Sequence, residues 1–198
     1  MKLSKSLYTR AIQCQKSLWL KKHNKDVLTP PNAAAQAIFE NGNEVGDLAC
    51  KLFPNGVEIP YLNTTFQDKI NLTQEYINQG TQNIYEATFE FDGILIMIDI
   101  LNIKDNSVII NEVKSSTQVK DIYLHDASIQ YYVLNGLGYD VKKVNIIHIN
   151  NQYVRDEELD INQLFSIVDV TYEVKELQAN IKNNLEIFRK TLAKEDEP

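Results

Sequence analysis

The stretch IYEATFEFDGILIMIDILNIKDNSVIINEVK, residues 84–114, decides the fold. Ile84 to Phe91 alternates apolar and polar positions, Asp92-Gly93 is a two-residue hairpin signal, and Ile94 to Ile103 is strongly β-branched. Asp105-Asn106 is a second two-residue turn candidate and leads into Val108 to Lys114. The spacing predicts a three-strand antiparallel meander whose short loops fix the register.

That register has a chemical consequence. With Phe91 facing Ile94 and Lys104 facing Ser107, Glu86 stands opposite Asp99, and Asp99 opposite Glu112. Directly opposed like charges are destabilising, and Ile98 and Ile100 flank Asp99. A carboxylate placed there needs a counter-ion, a proton or access to water. A hard divalent cation such as Mg²⁺, which takes one or two carboxylates and keeps several waters, resolves the arrangement. Because successive strand residues alternate faces, Glu112 and Lys114 point the same way and Val113 the other. Lys114 is then placed to hold a metal-bound water and to offset charge developing on a phosphate. The competing reading is a bulge that shifts one register and leaves Lys114 merely neutralising Glu112 and Asp99. That reading does not account for Glu86.

Around the meander, Ser4 to Lys22 reads as a first helix and the Pro30-Pro31 pair as a loop. Ala33 to Leu52 reads as a helix in which Gly42 and Gly46 permit close approach of a partner backbone. Val57 to Ile59 reads as a short edge strand, and Thr64 to Gly80 as an amphipathic helix. Asp121 to Leu137 reads as a helix and Val141 to Asn150 as a further strand. Residues 168–194 form a C-terminal amphipathic helix, with Val174, Leu177, Ile181, Leu185, Phe188 and Leu192 at helical spacing.

With 43% hydrophobic and 24% charged residues the chain is that of a globular protein with a proper core. No apolar run of about 18 residues is present, so no membrane span is expected. The polar residues and Arg10 within Tyr8 to Cys14 exclude a signal-peptide core, which leaves the cytoplasm as the expected location. Cys14 and Cys50 make neither a disulfide framework nor a metal site by themselves and are expected to be buried thiols. His23, His125 and His148 fall in three separate elements. The charge is unevenly distributed. Lys2, Lys5, Arg10, Lys16, Lys21, Lys22 and Lys25 give residues 1–25 a charge of +7 with no acid, so the rest carries −14 and the whole chain −7. This basic N-terminal helix is a candidate nucleic-acid contact through Arg10, Lys16, Lys21 and Lys22, with Tyr8 and Trp19 as base-stacking surfaces. A packed helix with a solvated face is the alternative.

The pattern of Asp99, then Glu112-Val113-Lys114, on consecutive hairpin strands between two helices resembles the PD-(D/E)XK nuclease superfamily. It is most similar to the RecB-like branch, which includes the CRISPR-associated four-cysteine exonucleases and a related bacterial family carrying such a domain at its N-terminus. LSKSLYTRAIQCQKSLWL, FENGNEVGDLACKLFP and IQYYVLNGLG carry the likeness further. The resemblance implies an α/β, restriction-endonuclease-like core (αβββαβ) with extra N- and C-terminal helices, a single RecB-like domain over residues 1–198.

It implies a hydrolase acting on DNA, on single strands or ends, with Mg²⁺ or Mn²⁺ as cofactor. Asp99, Glu112 and the Val113 carbonyl would be metal ligands, Lys114 the catalytic lysine, and Gln130 a helix residue contacting the site. Asn43 stands where such nucleases commonly supply a histidine ligand; Glu44 is a candidate substitute, and Glu86 a candidate further ligand. Cys14 matches the first cysteine of the four-cysteine relatives, but the other three are missing, so no iron–sulfur cluster is expected. The chain is then either a piece cut before the cluster, with a further C-terminal domain or partner, or a minimal protein without one. The alternative function is an inactive nucleic-acid- or protein-binding module that keeps the nuclease fold.

Overall fold

The computed structural model describes residues 2–30, 32–104 and 107–198, apart from the side chain of Phe39. Pro31 and the Asp105-Asn106 turn therefore lie outside the described residues. The fold is α/β, an open seven-stranded mixed sheet flanked by helices.

The meander forms as its pattern dictates. Strands β3 (Asn83–Phe91), β4 (Ile94–Lys104) and β5 (Ser107–Lys114) run antiparallel, with Phe91 facing Ile94 and Lys104 facing Ser107. Asp92 and Gly93 both take left-handed φ, 50° and 69°, the conformation that lets a two-residue turn follow the strand twist. Strand β2 (Val57–Glu58) adds in parallel to β3. Helix α5 (Asp121–Gly136) then carries the chain back so that β6 (Asp140–Ile149) pairs in parallel with β5, and β7 (Phe165–Asp169) closes the far edge. Parallel neighbours need such a crossover.

Apolar surface is buried on both faces. Helix α4 (Phe66–Asn78), capped by Thr65 and Asp68, packs on one face with α5 and the C-terminal helix α7 (Thr171–Leu192). Val174, Ile181, Leu185, Phe188 and Leu192 of α7 are buried there. Helix α3 (Ala33–Cys50) covers the other face, where Val45 and Ala49 meet Ile100, Ile147 and Phe165; the short helix α6 (Ile161–Leu164) also packs there.

Three features differ from the sequence expectation. The N-terminal helix is two helices, α1 (Lys5–Gln13) and α2 (Gln15–His23), broken at Cys14. Cys14 is extended and ends α1, while its Sγ accepts the Ser17 N–H and so caps α2; its thiol is exposed, not buried. A two-residue strand β1 (Leu3–Ser4) precedes α1 and pairs in parallel with β4 at Ile94 and Leu95. Such short elements, like β7, carry too few residues for periodicity to reveal them.

The third difference decides the site. Ile94, Ile96 and Ile98 pack toward α5, but after Asp99 that layer is taken by Leu101, while Ile100 faces α3. On β3 the same change of phase falls at Glu86, whose φ is 57°. Glu86 and Asp99 are therefore not a regular opposed pair, although Tyr85–Ile100 and Ala87–Ile98 pair on either side of them. Across β5 the ladder runs from Lys104–Ser107 to Ile100–Asn111 and stops, leaving a fork between Asp99 and Glu112.

Candidate active site

Glu112 sits in that fork, 1% exposed. Lys114, on the same face of β5, places Nζ 2.6 Å from Glu112 Oε1 and 2.6 Å from Asp126 Oδ2. Gln130, one turn after Asp126 on α5, donates Nε2–H to Glu112 Oε2 at 2.7 Å. The i, i+4 spacing puts both α5 residues on one helix face, so α5 orients Lys114 and Glu112 together. Asp99 turns from its ladder position to accept the Val113 N–H through Oδ2 at 2.7 Å. Lys5, the first residue of α1, completes the cluster, with Nζ 3.0 Å from both Glu112 oxygens and 3.8 Å from Asp99 Oδ1 and Asp126 Oδ1.

The electrostatics follow from burial among opposite charges. Burial, and then the charge of Glu112, push the Asp99 carboxyl up to about 7. Burial opposes ionisation of Glu112 too, yet the Lys114 and Lys5 ammoniums hold it well below the usual carboxylate range. Against burial, Glu112 and Asp126 raise Lys114, and Asp126, Glu112 and Asp99 raise Lys5. Both lysines are thus ammoniums at neutral pH, hydrogen-bond donors and not bases. Burial raises Asp126 and Glu86 as well.

On the α3 side the fork opens into a cleft of about 890 Å³. Asp47, Glu58, Glu86, Asp99 and Glu112 line it against the single cation of Lys114, with Asn43, Val113 and Tyr61 also in the wall. Gly42 and Gly46 face it, and a Cβ on either would meet nothing within 4 Å; they widen the cleft and do not admit a neighbouring backbone. Cys50 is in the wall too, its thiol pushed up to about 12 by burial and by Asp47, so it is no nucleophile at neutral pH.

Of the residues singled out from sequence, Asp99, Glu112, Val113, Lys114, Glu86 and Asn43 meet at this cleft, and Gln130 supports it from behind. Glu44 is exposed and absent from the wall; Asp47, one helical turn after Asn43, takes that face of α3. The basic N-terminal residues lie elsewhere. Arg10 donates to Ser17 Oγ, Lys16 pairs with Glu197, and Lys21 and Lys22 are exposed away from the cleft wall. Trp19 is not free to stack on a base, since its ring is buried against His23 and its indole N–H donates to the Lys194 carbonyl. Tyr8 is buried edge-on to Phe188. Sequence reasoning passed over Lys5, Asp126, Asp47 and Glu58. Only Asp126 left a signal, its spacing from Gln130.

Among the described residues no three His, Cys, Asp or Glu side chains are grouped as a ready metal cage. The carboxylates are instead gathered around ammoniums, and the Lys5 nitrogen lies between Glu112, at 3.0 Å, and Asp99, at 3.8 Å. Hard oxygen donors gathered around cations fit a Mg²⁺ or Mn²⁺ site in kind.

No family model matches the chain, and no curated protein matches it. Among solved structures it is similar to one described as "Crystal structure of SSO0001", at 11% identity over 94% of this chain and 76% of that one, with a TM-score of 0.39. A likeness of that degree says nothing of the site's chemistry. Among the described residues no helix is long and apolar enough to cross a membrane.

Proposed function

We propose that the chain is a Mg²⁺- or Mn²⁺-dependent nuclease of the RecB-like PD-(D/E)XK kind, hydrolysing DNA phosphodiester bonds in single strands or at ends. The observation that carries this reading is the meeting of Asp99, Glu112 and Lys114 in the wall of one open cleft, with the Lys5 ammonium between the two carboxylates. An acidic cleft repels a phosphodiester unless a cation accompanies it.

Asp99, Glu112 and the Val113 carbonyl would hold the ion, and Asn43 and Glu86 line the same cleft. Bound there, it would lower the pKa of a water and neutralise charge on the phosphate. The remaining roles belong to the chain. Lys114, an ammonium at neutral pH, donates hydrogen bonds to an oxygen gaining charge in the transition state and does not abstract a proton. Asp126 holds that ammonium in place, and Gln130 fixes the carboxylate plane of Glu112.

The test is degradation of an end-labelled single strand with Mn²⁺, with Mg²⁺ and with EDTA. Metal-dependent cleavage that disappears in Glu112→Gln supports the reading. No cleavage of any single- or double-stranded DNA under these conditions contradicts it. A second reading, a binding module without a reaction, draws on the fact that both Glu112 oxygens already have lysine and glutamine partners. Strand binding that is indifferent to metal and to Glu112→Gln would favour it.

A further inference from the structure

The N-terminal segment brings a second ammonium, that of Lys5, onto the Glu112 carboxylate from outside the cleft wall. Because the β4–β5 ladder stops at Ile100–Asn111, the flank of β4 at Ile94 and Leu95 is free, and β1 pairs there. Chain continuity from Ser4 then delivers Lys5 into the fork. Its side chain is only 19% exposed, and its nitrogen is equidistant from the two Glu112 oxygens. The ammonium does not satisfy everything around it. Asp126 Oδ1 and Gln130 Oε1 are buried without a hydrogen-bond partner, on residues 8% and 0% exposed. A small cation with several acceptors to satisfy is a better occupant of such a pocket than one tethered ammonium.

We infer that Lys5 is a tethered cation standing in the seat of the divalent ion, so that metal binding proceeds by displacement of its ammonium from Glu112. The inference rests on the reading of this cleft as a metal site. An ion about 2.1 Å from a carboxylate oxygen cannot share both Glu112 oxygens with an ammonium 3.0 Å away, because two cations would stand within contact distance. Lys5 thereby keeps the metal-free acids compensated and lowers apparent metal affinity, and it couples the β1–α1 segment to the occupancy of the site. Lys114 differs in having a second carboxylate, Asp126, as a 2.6 Å partner to remain with.

The experiment is Mn²⁺ binding to the full chain, read by the electron paramagnetic resonance of free Mn²⁺, for wild type, Lys5→Met and Lys5→Arg. Removing a unit charge at this distance predicts that Lys5→Met binds at least about ten-fold tighter. Lys5→Arg keeps the charge and stays close to wild type. Binding by wild type with no gain in Lys5→Met overturns the inference and leaves the metal site standing; no binding by any of the three overturns both. A wild-type measurement covers the case in which Lys5→Met does not fold. In protein with ¹³C-labelled lysine, the Lys5 Hε–Cε signal, assigned by its absence from Lys5→Arg, moves on Mg²⁺ addition to the range of exposed lysines. A signal that stays in place at saturating Mg²⁺ contradicts displacement.

Discussion

Lys114 bridges Glu112 and Asp126 with its nitrogen 2.6 Å from an oxygen of each, joining strand β5 to helix α5 at the buried end of the cleft. Removing one partner of a buried ion pair leaves uncompensated charge and costs about 3–5 kcal/mol. Lys114→Ala is therefore expected to lower the melting temperature of the metal-free protein. Saturating Mn²⁺ should recover part of the loss by supplying a cation to Glu112. Thermal melts with EDTA and with Mn²⁺ check both halves.

Asp126 holds Lys114 without lining the cleft. Asp126→Asn keeps the shape and removes the charge. If the chain cleaves DNA as proposed, the expected outcome is a loss of about 10–100-fold in kcat with KM for the strand little changed. Steady-state kinetics at saturating Mn²⁺ separates the two constants, and a loss confined to KM would assign Asp126 to substrate binding.

Asp99 predicts a pH dependence of stability. Its folded carboxyl titrates at about 7, whereas an unfolded aspartate titrates near pH ~3.9. The folded state therefore binds the proton more tightly. The stability Asp99 contributes is fully present below about pH 4 and is lost as pH rises toward and through 7. Glu112, with a lowered pKa, works in the opposite sense: its contribution is fully present above the usual carboxylate range and is lost as pH falls through and below that range. Asp99→Asn removes the first effect alone. In metal-free buffer its melting temperature should exceed that of wild type at pH 8, and the gap should narrow steadily as pH falls toward about 4. About 2–4 °C is expected for each kcal/mol in a chain of this size.

Trp19 tests the N-terminal helices. It packs beneath the end of α7, so Trp19→Ala is expected to destabilise by about 3–5 kcal/mol without changing single-strand affinity of the folded protein. Denaturant melts and strand binding below the transition measure the two effects separately, and weakened binding with unchanged stability would restore Trp19 as a base contact.

The sequence makes the meander legible because its signals are local, an alternating period and a two-residue turn with left-handed φ at Asp92 and Gly93. The Asp92-Gly93 turn and the Lys104–Ser107 pairing place Asp99 and Glu112 on adjacent strands. The departure at Glu86 and Asp99 was hidden, since both strands change phase at the same level and the residues on either side keep their expected partners. Lys5 was legible only as one of seven N-terminal cations. Nothing local connects it to Glu112, 107 residues away, until β1 finds the free flank of β4. Trp19 was misread for the mirror-image reason: aromatic and basic residues on one helix resemble a stacking surface, and only the partner helix α7 shows that the ring is buried.

The most direct measurement is calorimetric titration of Mn²⁺ into wild type, Asp99→Asn and Glu112→Gln. If Asp99 and Glu112 share one ion, wild type binds and each substitution weakens binding by at least about ten-fold. Wild-type affinity retained in either variant, or no binding by the wild type, contradicts the shared site.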